Sequence, residues 1–274
     1  MTRVGNAVTI PVAINGESKN FMVDTGGYAT SISQDTATAM KLEAHSLFLP
    51  RIQDAGGKLA TDYAYATSFK LGGMEAKKFD LLVDQVKKPG IDGILAPDLL
   101  RNFDVEFDFA AMTMNLFRPH ACEGKAAYWT QDYIALPMDI TKAGHARVDV
   151  TLDGENMGAI LDSGASFSVM TFGSARRFFG LRPDSEGVVK AGELIGGQGS
   201  VSDSYGYAFK SLTMGDLSVG GVSVSNPRLL LADAPTVLSH EGVSLILGMS
   251  EMRYMHLYFA YRERKLYISA VQAQ

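Results

Sequence analysis

Two short stretches carry side chains that could do chemistry together, Asp24-Thr25-Gly26 and Asp162-Ser163-Gly164. A carboxylate at the end of an apolar run is delivered to a partly buried position. Two such groups facing each other cannot both ionise, so they share a proton, and one serves as base while the other serves as acid. The neighbouring residue types suit that task. Gly26 and Gly164 lack a Cβ and let backbone N–H groups come close to a carboxylate. The Thr25 and Ser163 hydroxyls are short donors able to tie one loop to the backbone of the other. A single Asp-Ser/Thr-Gly triplet would mean little, since average composition yields about 0.1 by chance in a chain of this size. Here each copy follows three apolar residues, Phe21-Met22-Val23 and Ala159-Ile160-Leu161, and both lie at the same place in a longer repeat.

Residues 10–32 and 148–170 match without a gap at an offset of 162 − 24 = 138. Each copy reads as a β-hairpin, with an alternating strand, a turn at Asn15-Gly16 or Asp153-Gly154, and a second strand running into the triplet. A short helix follows, with Ser33 and Thr171 placed as N-caps. Farther on, residues 91–100 align with 243–252, taking Leu95 against Leu247; the strands 105–109 and 112–117 then correspond to 257–261 and 264–269. A looser match joins the glycine-rich tips at 54–58 and 195–199, containing Gly56-Gly57 and Gly196-Gly197, each flanked by strand-forming runs that make a long hairpin. These patterns predict an all-β chain with an N-terminal lobe at 1–118, a linker at 119–139 and a C-terminal lobe at 140–274, residues 128–138 adding a strand. Neither half holds more than one triplet carboxylate, so any shared site lies between the lobes.

Composition narrows the function classes. The length of 274 residues allows two ordinary domains, and glycine at 28 residues, about 10% against roughly 7% on average, favours short strands and many tight turns. A formal charge of −5 with both signs interspersed leaves no broad basic footprint for nucleic acid. The single cysteine, Cys122, cannot form an intramolecular disulfide. The scattered His45, His120, His145, His240 and His256 show no zinc spacing, and each reads as surface or packing. The longest apolar runs, such as Val243 to Met249, are far short of the ~20 residues that span a bilayer. The expected compartment is periplasmic or secreted if a leader has been trimmed, and cytoplasmic otherwise. Gly164 to Ser168 lacks the second glycine of a nucleophile elbow, and Gly197-Gln198-Gly199 lacks the rest of a dinucleotide fingerprint. Asp98, Asp104, Glu106 and Asp108 could suggest a cation site, but the period-2 spacing of the last three is expected to mark a solvated strand edge. Tyr254, Tyr258, Phe259 and Tyr261 are expected to be β core and rim.

Duplicated Asp-Thr/Ser-Gly triplets, each followed by a glycine-tipped hairpin and a hydrophobic-hydrophobic-Gly segment, resemble the aspartic peptidases of the retropepsin and pepsin type. The resemblance covers nearly the whole chain except the linker, and the nearest match is a bacterial-style single-chain retropepsin-like peptidase. It implies two retropepsin-like β-barrel lobes related by a pseudo-two-fold axis, with the active site between them. Asp24 and Asp162 would be the catalytic dyad, activating a water for attack on a peptide carbonyl. Thr25 and Ser163 would interlock, Gly26 and Gly164 would contact substrate backbone with Gly27 and Ala165 beside them, and Gly56-Gly57 with Gly196-Gly197 would tip flaps closing over an extended peptide. Ile94-Leu95 and Ile246-Leu247 would form the apolar pair behind the active loops. The implied partner is a peptide or unfolded protein, with no cofactor and no metal, bound by a monomer that is an internal pseudo-dimer. Two departures stand out: Ala96 occupies a position where the family has glycine, so the first supporting turn is expected to differ from that at Gly248, and Gly27 stands where Ala, Ser or Thr is commoner.

The competing readings are a non-catalytic peptide-binding or scaffold protein that keeps the lobed fold, and a homodimer-forming scaffold whose lobes bind separately. Two mutually repelling carboxylates have no evident use in a binder. At pH near 3 the 25 Lys+Arg and 5 His would leave a charge approaching +30, so a mildly acidic optimum is expected, with the dyad titrating as a coupled pair.

Overall fold

The computed structural model describes residues 1–46, 52–53, 59–60, 62–84, 89–119, 126–195, 201–219, 221–233 and 242–270. The first half contains β1 (Thr2–Val4), β2 (Ala7–Ile14), β3 (Glu17–Val23), β4 (Ser31–Ser33), α1 (Gln34–Ala39), β5 (Glu43–Ser46), β6 (Ile52–Gln53), β7 (Leu59–Ala60), β8 (Asp62–Leu71), β9 (Met74–Asp84), β10 (Gly93–Leu95) and α2 (Pro97–Leu100). Next come β11 (Asp104–Asp108), β12 (Thr113–Phe117), β13 (Ile134–Pro137) and β14 (Asp139–Ile140). The second half holds β15 (Ala146–Leu152), β16 (Glu155–Leu161), β17 (Val169–Thr171), α3 (Phe172–Phe179), β18 (Val189–Ile195), β19 (Val201–Ala208), β20 (Ser211–Met214), β21 (Val222–Ser225), β22 (Arg228–Ala232), β23 (Val243–Leu247), α4 (Met249–Met252), β24 (Met255–Ala260) and β25 (Lys265–Ala270). The chain is all-β in architecture and two-lobed.

The hairpin turns are what the sequence requires of them. Asn15 and Gly16 have φ of 50° and 86°, and Asp153 and Gly154 have 46° and 88°, the paired positive values of a tight turn that matches strand twist. Each turn side chain also binds the neighbouring strand: Asn15 Oδ1 accepts from Ser68 N (3.0 Å), and Asp153 Oδ1 from Ser211 N (2.8 Å). In the first lobe the sheet order is β1-β2-β3-β10-β4-β9-β8-β5, and an added β2–β8 pairing closes six of these strands into a ring. The second lobe runs β18-β19-β22-β17-β23-β16-β15-β20-β21, with β14 on β15. Alternate side chains of the hairpin strands fill the core: Val8, Ile10, Val12 and Ile14 in β2, and Ala146, Val148, Val150 and Leu152 in β15, are buried in one continuous cluster. The helices begin as expected, with Ser33 Oγ accepting from Thr36 N and Thr171 Oγ1 from Ser174 N.

The lobes share a third sheet, β12-β11-β24-β25-β13. Its centre pairs β11 with β24 antiparallel, Phe107 opposite Leu257, so corresponding strands of the two halves meet about the pseudo-two-fold axis. Strand β13 joins the edge on β25. This sheet overturns the expectation of a solvated acidic edge. Strand β11 is interior, with a partner on each side, and Asp104 and Glu106 are only 1% and 2% exposed. Tyr128, Trp129 and Tyr258 cover that face, which no strand-local pattern could reveal. Glu106 accepts from Asn115 Nδ2 (2.7 Å) and the Tyr128 hydroxyl (2.9 Å), and His256 Nε2 lies 2.8 Å from its other oxygen beneath the stacked Trp129 ring. Burial alone would push the Glu106 pKa up; the hydrogen bonds from His256, Asn115 and Tyr128, with the His256 charge, bring it below the usual carboxylate range.

Candidate active site

Each triplet begins where an apolar strand ends in the core. Phe21, Met22 and Val23 are buried at the end of β3, as are Ala159, Ile160 and Leu161 at the end of β16. Strand β10 lies parallel to β3 and antiparallel to β4, and β23 does the same between β16 and β17. The ladders therefore run straight into the loops: Asp24 N donates to Leu95 O and Asp162 N to Leu247 O, both at 2.9 Å. This is where Ile94-Leu95 and Ile246-Leu247 sit, as the strands directly behind the two loops.

The loops lock to each other by four reciprocal hydrogen bonds. Thr25 N donates to Ser163 Oγ (3.1 Å) and Ser163 N to Thr25 Oγ1 (3.0 Å). The two hydroxyls then reach past each other, Thr25 Oγ1 to Leu161 O (2.7 Å) and Ser163 Oγ to Val23 O (2.8 Å). Thr25 is 1% exposed and Ser163 0%, so these bonds form out of water, where leaving one unmade is costly. Each carboxylate is held by its own loop: Asp24 Oδ1 accepts from Gly26 N (3.0 Å), and Asp162 Oδ1 accepts from Gly164 N (2.8 Å) and Ala165 N (3.0 Å).

The glycines bring the two carboxylates together. A Cβ on Gly26 would fall on the carboxyl group of Asp162, and a Cβ on Gly164 would fall on that of Asp24. Each half-buried carboxylate thus packs against the bare Cα of the opposite triplet, and the pair converges on one site across the lobe boundary. In such a pair one group takes up a proton while the other gives one, the requirement for adding water to a carbonyl without a covalent intermediate. Among the described residues no group of three or more His, Cys, Asp or Glu side chains gathers as metal ligands.

A family model described as aspartyl protease matches residues 10–99 and 148–250, spanning both triplets and both segments behind them. The chain belongs to the aspartyl protease family. Among solved structures, conglutin gamma, a basic 7S globulin from lupine seeds, aligns with TM-score 0.54 at 10% identity, covering 96% of this chain and 91% of its own. Basic 7S globulin from soybean aligns with TM-score 0.52 at 10% identity, covering 97% and 95%. A retropepsin-like aspartic protease from Rickettsia conorii aligns with TM-score 0.37 at 14% identity, over 50% of this chain and 89% of its own. A search of curated proteins finds no match. At 10% identity the two globulins share the fold with this aspartyl protease family member, and their names carry no activity to it.

The tips containing Gly56, Gly57, Gly196 and Gly197 lie outside the described residues. Their stems are present as antiparallel pairs, Gln53 opposite Leu59 and Ile195 opposite Val201. The expected difference at Ala96 is not found. Ala96 has φ −113° and ψ 172°, and Gly248 has −99° and −174°, so both are extended residues opening a short helix. Space decides the residue type instead. A Cβ at Gly248 would lie 2.5 Å from the Phe167 carbonyl oxygen, whereas in the first lobe Ala96 carries its methyl beside Gly27, whose own Cβ would sit 3.3 Å from it. The two departures therefore meet in space.

Sequence reading missed the clamps behind the loops. In the first lobe Thr30 gives both its N–H (2.9 Å) and its hydroxyl (2.8 Å) to Asp98, and Ala96 N donates to Thr30 Oγ1 (3.2 Å). In the second, the Ser168 hydroxyl donates to Glu251, as does that of Ser250, while Gly248 N donates to Ser168 Oγ at 2.9 Å. Glu251 is 3% exposed, and burial pushes its pKa up despite those hydroxyls. Thr30 and Ser168 stand at the same 138-residue offset as the triplets, a signal the repeat contained.

Proposed function

We propose that the chain is an aspartic endopeptidase of the bacterial, single-chain retropepsin-like kind. Asp24 and Asp162 would hold a water between them; the ionised carboxylate takes its proton as the oxygen attacks the peptide carbonyl, and the protonated one supplies a proton to the carbonyl oxygen. Gly26, Gly27, Gly164 and Ala165 would lie against substrate backbone, and the two glycine-tipped hairpins, with Gly56, Gly57, Gly196 and Gly197, would close over an extended peptide or unfolded protein. Lobes at 1–118 and 140–274 joined by 119–139 would act as one monomeric internal pseudo-dimer. The observation that carries this reading is the convergence of the two carboxylates, each on the opposite triplet's glycine, with the Thr25–Ser163 lock holding them there.

The test is cleavage of a denatured protein by Asp24→Asn and Asp162→Asn, with a statine-type transition-state analogue as inhibitor. Either substitution should lower the rate by about a hundredfold to ten-thousandfold, the range for losing a general acid or base. Full cleavage by both single variants would overturn the shared dyad. Binding of peptide by a wild-type chain that cuts nothing would favour the non-catalytic binder. The pH–rate profile should peak in the mildly acidic range and show two apparent values belonging to the pair.

A further inference from the structure

The two triplet loops differ in how the carbonyl after the glycine is held. In the second lobe the Ala165 carbonyl accepts the Met249 N–H at 2.8 Å, from the first residue of α4. The matching pair in the first lobe is Gly27 and Pro97, and proline has no N–H to give. The helix that should secure this loop lacks the donor. The Gly27 carbonyl is instead met by His145 Nε2, 3.3 Å away, from a residue 118 positions later in the chain. A carbonyl only accepts, so the ring must carry its proton on Nε2.

The surroundings are built around this contact. His145 is 7% exposed and ends a turn closed by Thr141 N to His145 O (3.0 Å), Gly144 N to Thr141 O (2.8 Å) and His145 N to Thr141 Oγ1 (3.0 Å), immediately before β15. Gly144, at φ +90°, brings that turn onto the first lobe: a Cβ there would lie 3.4 Å from an Arg101 guanidinium nitrogen and 3.7 Å from Pro97 Cβ. Tyr28, next to Gly27, packs edge-on against the imidazole with centroids 6.0 Å apart. Gly27 in turn abuts the catalytic candidate, its N–H reaching Asp24 O at 3.2 Å and its absent Cβ falling 3.1 Å from the Asp24 carboxyl carbon.

We infer that His145 is a positioning residue for the Asp24 loop, donated across the lobes in place of the helix N–H that Pro97 cannot supply. It fixes Gly27, and through Gly27 the carboxylate of Asp24, while the Asp162 loop relies on its own helix. This role rests on the peptidase reading for its kinetic consequences only.

Four measurements on the full chain test it. His145→Leu should lower kcat on a peptide substrate by about tenfold to a hundredfold, with KM changed less than about threefold, as expected for a misplaced reacting group. His145→Gln, whose amide nitrogen stands near the imidazole Nε2, should recover most of that loss. Pro97→Ala in the His145→Leu background should also recover it, by restoring the N–H that Met249 provides in the other lobe. Equal loss in the Leu and Gln variants, with no recovery from Pro97→Ala, would overturn the inference. Long-range ¹H–¹⁵N spectra of the wild-type imidazoles should show His145 as the Nε2–H tautomer. An Nδ1–H tautomer would overturn the contact whether or not peptides are cut. An Nε2–H tautomer in a chain that cuts nothing would support the contact and sink the peptidase reading instead.

Discussion

The supports behind the two triplets share a backbone and differ in chemistry. Behind Asp24 stand Thr30 and Asp98, a Gly27–Ala96 contact, a proline at the start of α2 and a histidine borrowed from the other lobe. Behind Asp162 stand Ser168, Ser250 and a buried Glu251, with Gly248 pressed on the Phe167 carbonyl and Met249 N–H on Ala165 O. Duplication preserves strand order, the parallel and antiparallel pairings and the reciprocal lock, because these define where the carboxylates go. The hydrogen-bond donors one layer back are interchangeable, provided every buried polar group finds a partner.

The sharpest test of this contrast exchanges Ala and Gly at matched positions. Gly248→Ala should cost about 3 kcal/mol or more in urea unfolding, because the methyl meets a backbone carbonyl that cannot rotate away. Ala96→Gly should cost only about 1 kcal/mol, the loss of a methyl and the added freedom of glycine. Similar costs at both sites would show that the lobes are not differently packed.

The lock should behave in the opposite way, with no difference between lobes. Thr25→Ala and Ser163→Ala each remove a donor and an acceptor from buried partners and should each cost about 2–3 kcal/mol. Unequal values would mean that one lobe dominates the interface.

The two buried glutamates should separate by the sign of their pH dependence. Glu251 has a raised pKa, so its contribution is full below the unfolded value of about 4.3 and is lost as pH rises through the folded one. Glu106 is lowered, so its contribution is full above about 4.3 and is lost as pH falls through the folded value. Relative to wild type, the melting temperature of Glu251→Gln should therefore rise as pH climbs above about 4.3, while the deficit of Glu106→Gln should hold above about 4.3 and shrink as pH falls below it; changes confined to the same side of about 4.3 would remove the distinction. The smallest effect is expected at the helix caps, where Ser33→Ala and Thr171→Ala should each cost about 1 kcal/mol by thermal melting.

Much of the site was legible in the sequence because it is local. Three apolar residues before each Asp, a positive-φ turn before each second strand and a hydroxyl between Asp and Gly are short-range patterns, and the structure brings both triplets together as the repeat implied. The clamp residues were half legible, since Thr30 and Ser168 share the offset while Asp98 and Glu251 miss each other by one position under the Leu95–Leu247 alignment. Sequence alone marks His145 only as surface or packing, and no spacing pairs it with Gly27, because the contact depends on how one lobe's entry turn lands on the other's helix. Alternating acids at Asp104, Glu106 and Asp108 misled for the same reason. Period-2 alternation places side chains on one face but does not say what covers that face.

By itself, then, the chain determined that each half makes the same hairpin, ends an apolar strand in one carboxylate and cannot complete a dyad alone, all consequences of backbone preference and hydrophobic alternation along a few residues. Only the tertiary structure decided the asymmetric supports, the shared sheet that buries Glu106 and His256, and the exchange of Gly27–Ala96 for Ala165–Gly248. Those choices turn on which atoms already occupy the space and which buried donors still need acceptors, and such facts exist only once distant segments have packed.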